Sequence, residues 1–412
     1  MRILFAITTD LESPAGLGRY LPWAKQLAQD GHEVHIAALH QDLGRVTQHH
    51  FQVDGVQVHY VGQMHVRKQG DTTLYFGPVR LVWTILHGAF ALARQAMRIA
   101  PDVIHVGKPH PQNVFAGLVA GRILGRRLLL LDYDDLEAES NHTSNGMQRR
   151  TLAWLERWFP RRCDGVTTHT RFLADRLLAA GVPAPRILRL PSAVDATRFR
   201  PVDPAQVAQR RRQLGLDASQ FVVIYVGSFS LANHPVDLLL QAFALLAQNH
   251  PQARLLLVGG GPDLESLRRL AETLGIAQRC HFLGRVPADQ IPVLFALADV
   301  SVDPVHKDPV AEARWPLKII ESLAVGVPVV TGKIGDRGEM LGAAGLLVQP
   351  GDAAALAQGL GRVLADPALL LRLGQNCALA LAPFDSTKIA ATLADFYAFL
   401  SNGFSQPGAD GQ

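Results

Sequence analysis

The chain has 412 residues, with 40 Lys and Arg against 36 Asp and Glu. Apolar residues make up 48% and charged residues 18%, which excludes an intrinsically disordered chain and predicts two or three globular domains. The three cysteines, Cys163, Cys280 and Cys377, lie far apart in the sequence. This number and spacing exclude a disulfide framework and a CxxC-type zinc or redox site, and are typical of a reducing compartment.

The sequence predicts no membrane-spanning segment. The longest uncharged apolar run, residues 81–93, has 13 residues, whereas a bilayer span needs about 20. The start of the chain has too short an apolar run for a signal peptide. We therefore expect a cytoplasmic protein.

The charge is unevenly distributed along the chain. Residues 1–200 hold 24 Lys and Arg and 17 Asp and Glu (net +7), whereas the remainder has a net charge of −3. The basic half fits solvated helix faces or contact with an anionic membrane, so a peripheral position at the inner face of the membrane stays open. Residues 81–99 fit either a domain helix or a membrane-surface helix. Scattered arginine pairs without interleaved aromatic residues favour no nucleic-acid partner.

In chain order, the first half alternates apolar strands with helical patterns. The predicted strands are 2–8, 33–38, 56–61, 103–106, 127–132, 165–169 and 186–190, and the predicted helices are 18–29, 81–99, 112–124 and 171–180. This alternation predicts a parallel sheet with helices on both faces. Residues 191–204 then carry three prolines and no periodicity, which indicates a linker.

The alternation restarts after the linker. The predicted strands are 221–226, 254–258, 280–283, 300–303, 327–330 and 345–348, and the predicted helices are 235–248, 263–274, 288–297 and 316–324, with helical stretches at the end. Two doubly wound halves should face each other across a cleft, because ligands of such sheets bind beyond the carboxyl ends of the strands.

Three segments carry candidate chemistry. Gly16 and Gly18 open a helix after the first strand, where they fit either an anion-binding turn or a plain loop. Gly260 lies in a second strand–glycine–helix junction. Lys318 and Glu321 share one face of the helix that follows Pro316. A cation in the first turn opposes the helix dipole, so a bound anion would resolve the conflict, and the Glu could accept hydrogen bonds from ribose hydroxyls.

The run Pro-Leu-Lys-Ile-Ile-Glu-Ser-Leu-Ala-Val-Gly-Val-Pro at 316–328 resembles the nucleotide-sugar motif of the family-four retaining glycosyltransferases, which have the GT-B fold. Residues 221–229, 255–262, 282–287 and 345–352 agree with that family in order and spacing, as do segments of the first half. The resemblance implies an N-terminal Rossmann-like acceptor domain at 1–195 joined by helix 385–400, a linker at 196–216, a nucleotide-sugar domain at 217–384 and a flexible tail at 401–412.

The resemblance also implies residue roles. Glu321 would bind the donor ribose and Lys318 its diphosphate, so both are predicted as catalytic residues. Gly16 and Gly18 would lie over the phosphates. The remaining predicted donor-site residues are Ser228, Asn233, Gly260, Arg285, Arg314 and Leu317. The donor would be a UDP- or GDP-linked hexose and the acceptor a hydroxyl of a glycan, lipid or small molecule, with no metal and no separate cofactor.

The chain departs from the family pattern at three positions. The Arg and Lys usual after the first strand of the second half are Ser228 and Asn233, and the first Glu of the paired-Glu motif is Ala313. One phosphate contact must be lost or supplied by Lys318, Arg285 or Arg314. A catalytically degenerate nucleotide-sugar-binding protein is therefore an alternative function.

Acidic residues at 132–137 suggest a second alternative. Asp132 and Asp134 form the Asp-x-Asp pattern with which another class of glycosyltransferase holds a divalent metal. We favour a role in an acceptor pocket, with Asp135 and Lys108 as catalytic candidates and His110 as a further polar contact. Capping of the next helix is the structural alternative.

Overall fold

The computed structural model describes residues 1–403 except 14, 70, 71, 124, 126 and 141–145. The chain divides into two compact units. The first comprises Met1–Ala193 together with the C-terminal segment from Ser386, and the second comprises Val194–Asp385. The segment 196–216, expected as a linker, belongs to the second unit. Most of the tail expected at 401–412 lies outside the described residues.

The first unit is built on an eight-stranded sheet and a separate hairpin. Its strands are β1 (Arg2–Ile7), β2 (Glu33–His40), β3 (His50–Val53), β4 (Val56–Gln63), β5 (Val66–Gln69), β6 (Thr72–Tyr75), β7 (Val103–Gly107), β8 (Leu128–Asp132), β9 (Gly165–Thr168) and β10 (Ile187–Arg189). The sheet order is β10-β9-β8-β7-β1-β2-β4-β3, with only β3 antiparallel to its neighbour, while β5 pairs with β6. Central strands such as β1 are buried along nearly their whole length, as parallel strands covered on both faces must be.

Helices cover this first sheet. They are α1 (Leu21–Gln29), α2 (Pro78–Ile99), α3 (Pro111–Leu118), α4 (Glu137–Ser140), α5 (Gly146–Trp158), α6 (Arg171–Ala179) and the C-terminal α17 (Ser386–Ser401). Helix α17 buries Ile389, Leu393 and Tyr397 in the same core as Phe5 and Trp23. The end of the chain is therefore part of the first hydrophobic core.

The second unit has a six-stranded, wholly parallel sheet in the order β13-β12-β11-β14-β15-β16. Its strands are β11 (Phe221–Val226), β12 (Ala253–Val258), β13 (Cys280–Gly284), β14 (Val300–Asp303), β15 (Val329–Gly332) and β16 (Gly345–Val348). Its helices are α7 (Pro204–Gln213), α8 (Val236–Asn249), α9 (Leu264–Thr273), α10 (Ile291–Ala296), α11 (Pro309–Ala313), α12 (Leu317–Ala324), α13 (Arg337–Leu341), α14 (Ala353–Ala365), α15 (Pro367–Gln375) and α16 (Cys377–Leu381). The strand order reverses between β11 and β14, which places a ligand site at their carboxyl ends.

Several elements differ from the sequence prediction. The helix predicted at 18–29 begins at Gly16 with a π-helical turn, Gly16–Tyr20, that runs directly into α1. The hairpin β5–β6, the edge strand β3 and helix α5 were not predicted. The three strands have four residues each, which is too short to establish a period, and α5 contains three arginines and a glutamate among its 13 residues.

Among the described residues, no single helix is long and apolar enough to cross a membrane, and only the bent pair Ala353–Ala365 and Pro367–Ser401 reaches that length and composition jointly.

Candidate functional site

The carboxyl edge of the second sheet is shaped by close backbone contacts between two loops. A Cβ placed on Gly259 would lie 1.8 Å from the carbonyl oxygen of Gly227, and one on Gly261 would lie 2.4 Å from that of Phe229. Gly259 also has φ +140°, which disfavours a side chain. The predicted Gly260 lies between them and accepts a hydrogen bond from the Phe229 amide at 3.1 Å. Gly259 and Gly261 are therefore required because the two loops pack too closely to leave room for a side chain.

Lys318 lies beside these loops. It is the second residue of α12, and its Nζ reaches back to within 4.3 Å of the ring centre of Tyr225 on β11. A Cβ on Gly227 would lie only 3.1 Å from the same Nζ. The lysine side chain is 10% exposed. Lys318 thus lies in the first turn of this helix, as the sequence predicts, and its contact with a diphosphate stays a prediction.

A carboxylate at the end of β14 holds Lys318. Asp303 Oδ1 lies 3.3 Å from the Lys318 ammonium, and Oδ2 accepts a hydrogen bond from Arg337 Nε at 2.9 Å and another from the Thr331 hydroxyl at 3.2 Å. Burial alone would raise the pKa of Asp303, but Arg337 and Lys318 lower it to about 2. Asp303 is thus a fixed anion between two cations.

Glu321 lies one turn further along α12 and forms an ion pair with Arg198. Arg198 Nη2 donates to Glu321 Oε1 at 2.9 Å, and both side chains are 16% exposed. Burial raises the pKa of Glu321, although Arg198 and Lys318 oppose that shift. The buried Nε and Nη1 of Arg198 have no hydrogen-bond partner in the described part of the chain. The guanidinium therefore retains donors for a further group.

Arg314 forms hydrogen bonds with Asn233, the position at which the family pattern has a lysine. Its two terminal nitrogens donate to the backbone carbonyl of Asn233 at 2.5 Å and to the Asn233 side-chain oxygen at 2.8 Å. The neighbouring His234 has its pKa lowered to about 3 by burial, Lys318 and Arg314. Burial is the largest cause of this shift, and the two nearby cations add to it.

Three other predicted donor-site residues have simpler surroundings. Ser228 is exposed, and its carbonyl accepts the Tyr225 hydroxyl at 3.0 Å. Arg285 is exposed after β13. Leu317 packs against the cluster around Trp315 and Ile319.

In the first unit, the corresponding sheet edge holds a closed ion pair. Arg19 Nε and Nη2 donate to the two oxygens of Asp132 at 2.7 and 2.6 Å, and Nη1 contacts Ser192 and His169. Thr167 donates a further hydrogen bond to Asp132. Burial would raise the pKa of Asp132, yet Arg19 holds it well below its usual range.

A second polar cluster follows β7 and β8. Lys108, at φ +62°, contacts Glu137 and lies 3.6 Å from Asp134. His110 bridges Glu137 Oε2 at 2.8 Å and the Thr8 hydroxyl at 2.9 Å. Burial raises the pKa of Asp134 to about 6, with Asp132 adding to the shift and Lys108 opposing it. Lys108 and His110 are thus brought together with the acidic residues Asp134 and Glu137, and the role of this cluster as an acceptor pocket stays a prediction.

Other predictions in the first unit receive structural explanations. Asp135 Oδ1 accepts hydrogen bonds from the Leu136 amide and the Ser140 hydroxyl, both at 2.8 Å, which is the capping alternative. Gly16 is needed because a Cβ there would lie 1.9 Å from the Asp10 carbonyl oxygen. Gly18 is buried in the π-helical turn.

The Asp-x-Asp pattern is not open to a cation in this conformation. Asp132 is fully buried and both its oxygens are occupied by Arg19 and Thr167. Across the described ranges, no group of three or more His, Cys, Asp or Glu side chains is arranged to hold a metal ion. The spacing in sequence therefore did not produce a paired-carboxylate site.

Sequence reasoning missed the partners of the predicted residues. Arg19, Arg198, Asp303 and Arg337 supply the ion pairs, and each contacts a residue at least 15 positions away. Only Asp303 had a local signal, because a carboxylate that closes a buried strand of a parallel sheet faces the ligand edge.

A cavity of about 360 Å³ lies elsewhere on the first unit. Tyr133, Glu156, Arg157, Arg161 and Arg176 line it. Burial raises the pKa of Glu156 to about 7, while the Ala138 amide opposes the shift with a hydrogen bond to its carboxylate. This cavity shares no lining residue with the Lys318 or Lys108 clusters.

Comparison with known proteins identifies the family. A family model described as glycosyl transferases group 1 matches residues 206–379, and one described as a glycosyl transferase 4-like domain matches residues 15–193. The chain is 35% identical over 208 residues to a GDP-mannose-dependent alpha-(1-6)-phosphatidylinositol monomannoside mannosyltransferase of Mycolicibacterium smegmatis, covering 50% of this chain and 54% of that protein. The chain thus spans little more than half the length of this relative.

Solved structures agree in fold. Sucrose-phosphate synthase from Thermosynechococcus elongatus has a TM-score of 0.74 at 21% identity, covering 98% of this chain and all of that chain. Anabaena HepE in complex with UDP and glucose has a TM-score of 0.72 at 20% identity, covering 97% of this chain and all of that chain. These findings confirm the family inferred from residues 316–328. The chain belongs to the group 1 glycosyltransferase family and has the GT-B fold, with two Rossmann-like units.

Proposed function

We propose that this protein is a retaining, metal-independent glycosyltransferase that moves a hexose from a nucleoside diphosphate sugar to a hydroxyl acceptor. The observation that carries the proposal is the cationic cluster at the carboxyl edge of the second sheet. Lys318 lies beside the glycine loops, and Arg198 pairs with Glu321 one turn further along α12. Burial lowers the pKa of His234, and Lys318 and Arg314 lower it further. An anion at this edge would also face the start of α12, where free backbone amides favour negative charge.

Two side chains of α12 would bind different parts of the donor. Lys318 would neutralise the diphosphate as it departs, and Glu321 would accept hydrogen bonds from the ribose hydroxyls. Arg198 already holds the Glu321 carboxylate in place. Losing one such preorganised donor to a developing charge costs on the order of 10²–10³ in rate.

Two observations support chemistry without a metal. Lys318 already lies beside the glycine loops of the second unit, and both oxygens of Asp132 already accept hydrogen bonds from Arg19 or Thr167. In the retaining mechanism, the diphosphate leaves from the face that the acceptor hydroxyl attacks, and a donor phosphate oxygen takes the acceptor proton. Net configuration is kept with no protein nucleophile.

The acceptor would bind the first unit near Lys108, His110 and Asp134. Carboxylates and cations in one cluster offer acceptors and donors to the hydroxyl groups of a sugar or a polyol headgroup. The named relative acts on a phosphatidylinositol mannoside and uses GDP-mannose, whereas HepE was solved with UDP and glucose. GDP-mannose and UDP-glucose are therefore the first donors to compare.

A degenerate, non-transferring protein is the rival function, and Ser228, Asn233 and Ala313 motivate it. Arg314 argues against it, because its guanidinium occupies the surroundings of Asn233 and supplies a cation near the position of the missing lysine. Tight donor binding without turnover over a broad panel of acceptors would favour this rival.

The test is a transfer assay with UDP-, GDP- and ADP-sugars over a panel of hydroxyl acceptors. We expect Lys318→Ala and Glu321→Ala to lower transfer on the order of 10²-fold or more. Lys333→Ala and Glu272→Ala, which alter exposed residues of the same unit, should stay near wild type. Activity within about threefold of wild type in both α12 variants would overturn the site. Loss of activity in EDTA that Mn²⁺ restores would overturn the metal-independent mechanism.

A further inference from the structure

Helix α2 (Pro78–Ile99) of the first unit presents large apolar side chains to solvent. The exposed fractions are 85% for Val79, 57% for Val82, 67% for Trp83, 60% for Leu86 and 60% for Phe90. Isolated exposed apolar residues are common on protein surfaces, but a continuous stripe of this kind marks an interaction site.

The stripe follows the helical period. With about 100° between successive residues, the five side chains and Met97 fall on one arc of about 100°. The opposite side of α2 buries Thr84, Gly88, Leu92 and Ile99, and it contacts α3 and β4. The helix therefore already uses one face for the domain core, and the exposed stripe is a second apolar face.

The charges beside the stripe all have one sign. Arg80, Arg94 and Arg98 are exposed and fall on an arc about 40° wide along one flank of the apolar stripe. The sequence from 72 to 99 contains no Asp or Glu. Tyr75, at the end of β6 just before α2, is 79% exposed and adds an aromatic side chain. A basic flank next to an aromatic and aliphatic stripe complements an anionic, apolar surface.

We propose that α2 docks the first unit on an anionic lipid bilayer, with the stripe at the headgroup–acyl boundary and the arginines on lipid phosphates. An interfacial helix of this type lies in the plane of the membrane. Trp83 suits that depth, because its ring is apolar and its N–H is polar. A second copy of the chain packed antiparallel around a two-fold axis fits less well, since that arrangement would bring the two basic flanks to the same side.

The proposal predicts separate contributions from the two parts of the surface. Each arginine near an anionic membrane contributes about fivefold to binding, and salt screens that contribution. The apolar stripe contributes on every bilayer. Removing the arginines should therefore lower binding to anionic vesicles only, whereas removing the stripe should lower it everywhere.

The test is vesicle flotation of the full chain with phosphatidylcholine alone and with phosphatidylcholine containing 30% phosphatidylglycerol. We expect Trp83→Glu/Phe90→Glu to reduce binding to the anionic vesicles at least 30-fold. Arg94→Gln/Arg98→Gln should reduce it about 25-fold at low salt and leave binding to the neutral vesicles unchanged. Leu371→Glu/Leu379→Glu, at exposed leucines of the second unit, adds the same charge and should bind like wild type.

Circular dichroism and thermal unfolding check that each variant is folded, and sedimentation velocity measures its oligomeric state. Equal binding of wild type and Trp83→Glu/Phe90→Glu, or no binding by wild type, overturns the proposal. So does a wild-type dimer that this variant dissociates without any vesicle binding, because the occupant is then a second copy. Transfer activity is not needed for any readout, so this proposal and the proposed function fail independently.

Discussion

Both Rossmann-like units carry ion pairs at the carboxyl edge of their sheets, but the two differ in how completely they are closed. In the first unit, Arg19 and Asp132 are 3% and 0% exposed and satisfy each other through two hydrogen bonds. In the second unit, Glu321 and Arg198 are each 16% exposed, and the guanidinium keeps two buried nitrogens without a hydrogen-bond partner among the described residues. The closed pair is suited to hold a fold, whereas the open pair is suited to receive a ligand.

The largest expected effect comes from breaking the closed Arg19–Asp132 pair. Arg19→Met should lower the free energy of unfolding by about 3–5 kcal/mol, because it leaves the Asp132 carboxylate buried without its cation. Urea denaturation measures the loss. Arg122→Met is the matched control, since the Arg122–Asp164 pair is about one-third exposed and should contribute less than about 1 kcal/mol. Equal losses of unfolding free energy in the two variants would contradict the claim that the buried Arg19–Asp132 pair stabilises the fold more than an exposed pair does.

A smaller effect comes from Glu156 at the first unit's cavity. Its folded pKa of about 7 lies above the ordinary value of 4.5, so the folded state binds the proton more tightly than the unfolded state. Stability should therefore fall as pH rises from about 4.5 to 7. Glu156→Gln should remove this slope and raise the free energy of unfolding at pH 8 by about 2 kcal/mol. Urea denaturation at pH 5 and pH 8 tests this, and a variant with the wild-type slope would contradict it.

The smallest expected effect comes from removing the arginine of the open Arg198–Glu321 pair. Arg198→Gln removes the cation that opposes the rise in the Glu321 pKa, so the carboxylate should protonate at higher pH. Donor affinity should then weaken as pH falls and recover as pH rises, over a range in which the affinity of wild type changes less. Calorimetric titration of the donor across pH measures both. A loss of donor affinity that does not vary with pH would indicate that Arg198 contacts the donor directly or only supports the local fold.

Much of the fold could be predicted from the sequence because the core strands are unbroken apolar runs. Strand β11 (Phe221–Val226) was predicted at its observed bounds for this reason. The edge strand β3 was missed because His50 and Gln52 interrupt its apolar pattern. The predicted helix at 18–29 begins two residues earlier in the structure, and the Asp10 carbonyl oxygen beside Gly16 shows why that first position is a glycine.

The candidate site was predictable only where its signal is local. Lys318 and Glu321 lie three positions apart on one helix, so their shared face follows from the helical period. Their partners could not be found in the same way, because Arg198 and Glu321 are separated by 123 positions. The pairing exists only once β14, α12 and the start of the second unit have folded against one another.

The most direct test of the account is calorimetric titration of the accepted nucleoside diphosphate sugar into wild type and Lys318→Ala. We predict that the variant binds at least tenfold more weakly and stays folded, with a lower free energy of unfolding because the buried Asp303 then keeps Arg337 but loses Lys318. Lys333→Ala should match wild type in both quantities. Equal donor affinity in wild type and Lys318→Ala would contradict a donor site at the carboxyl edge of the second sheet.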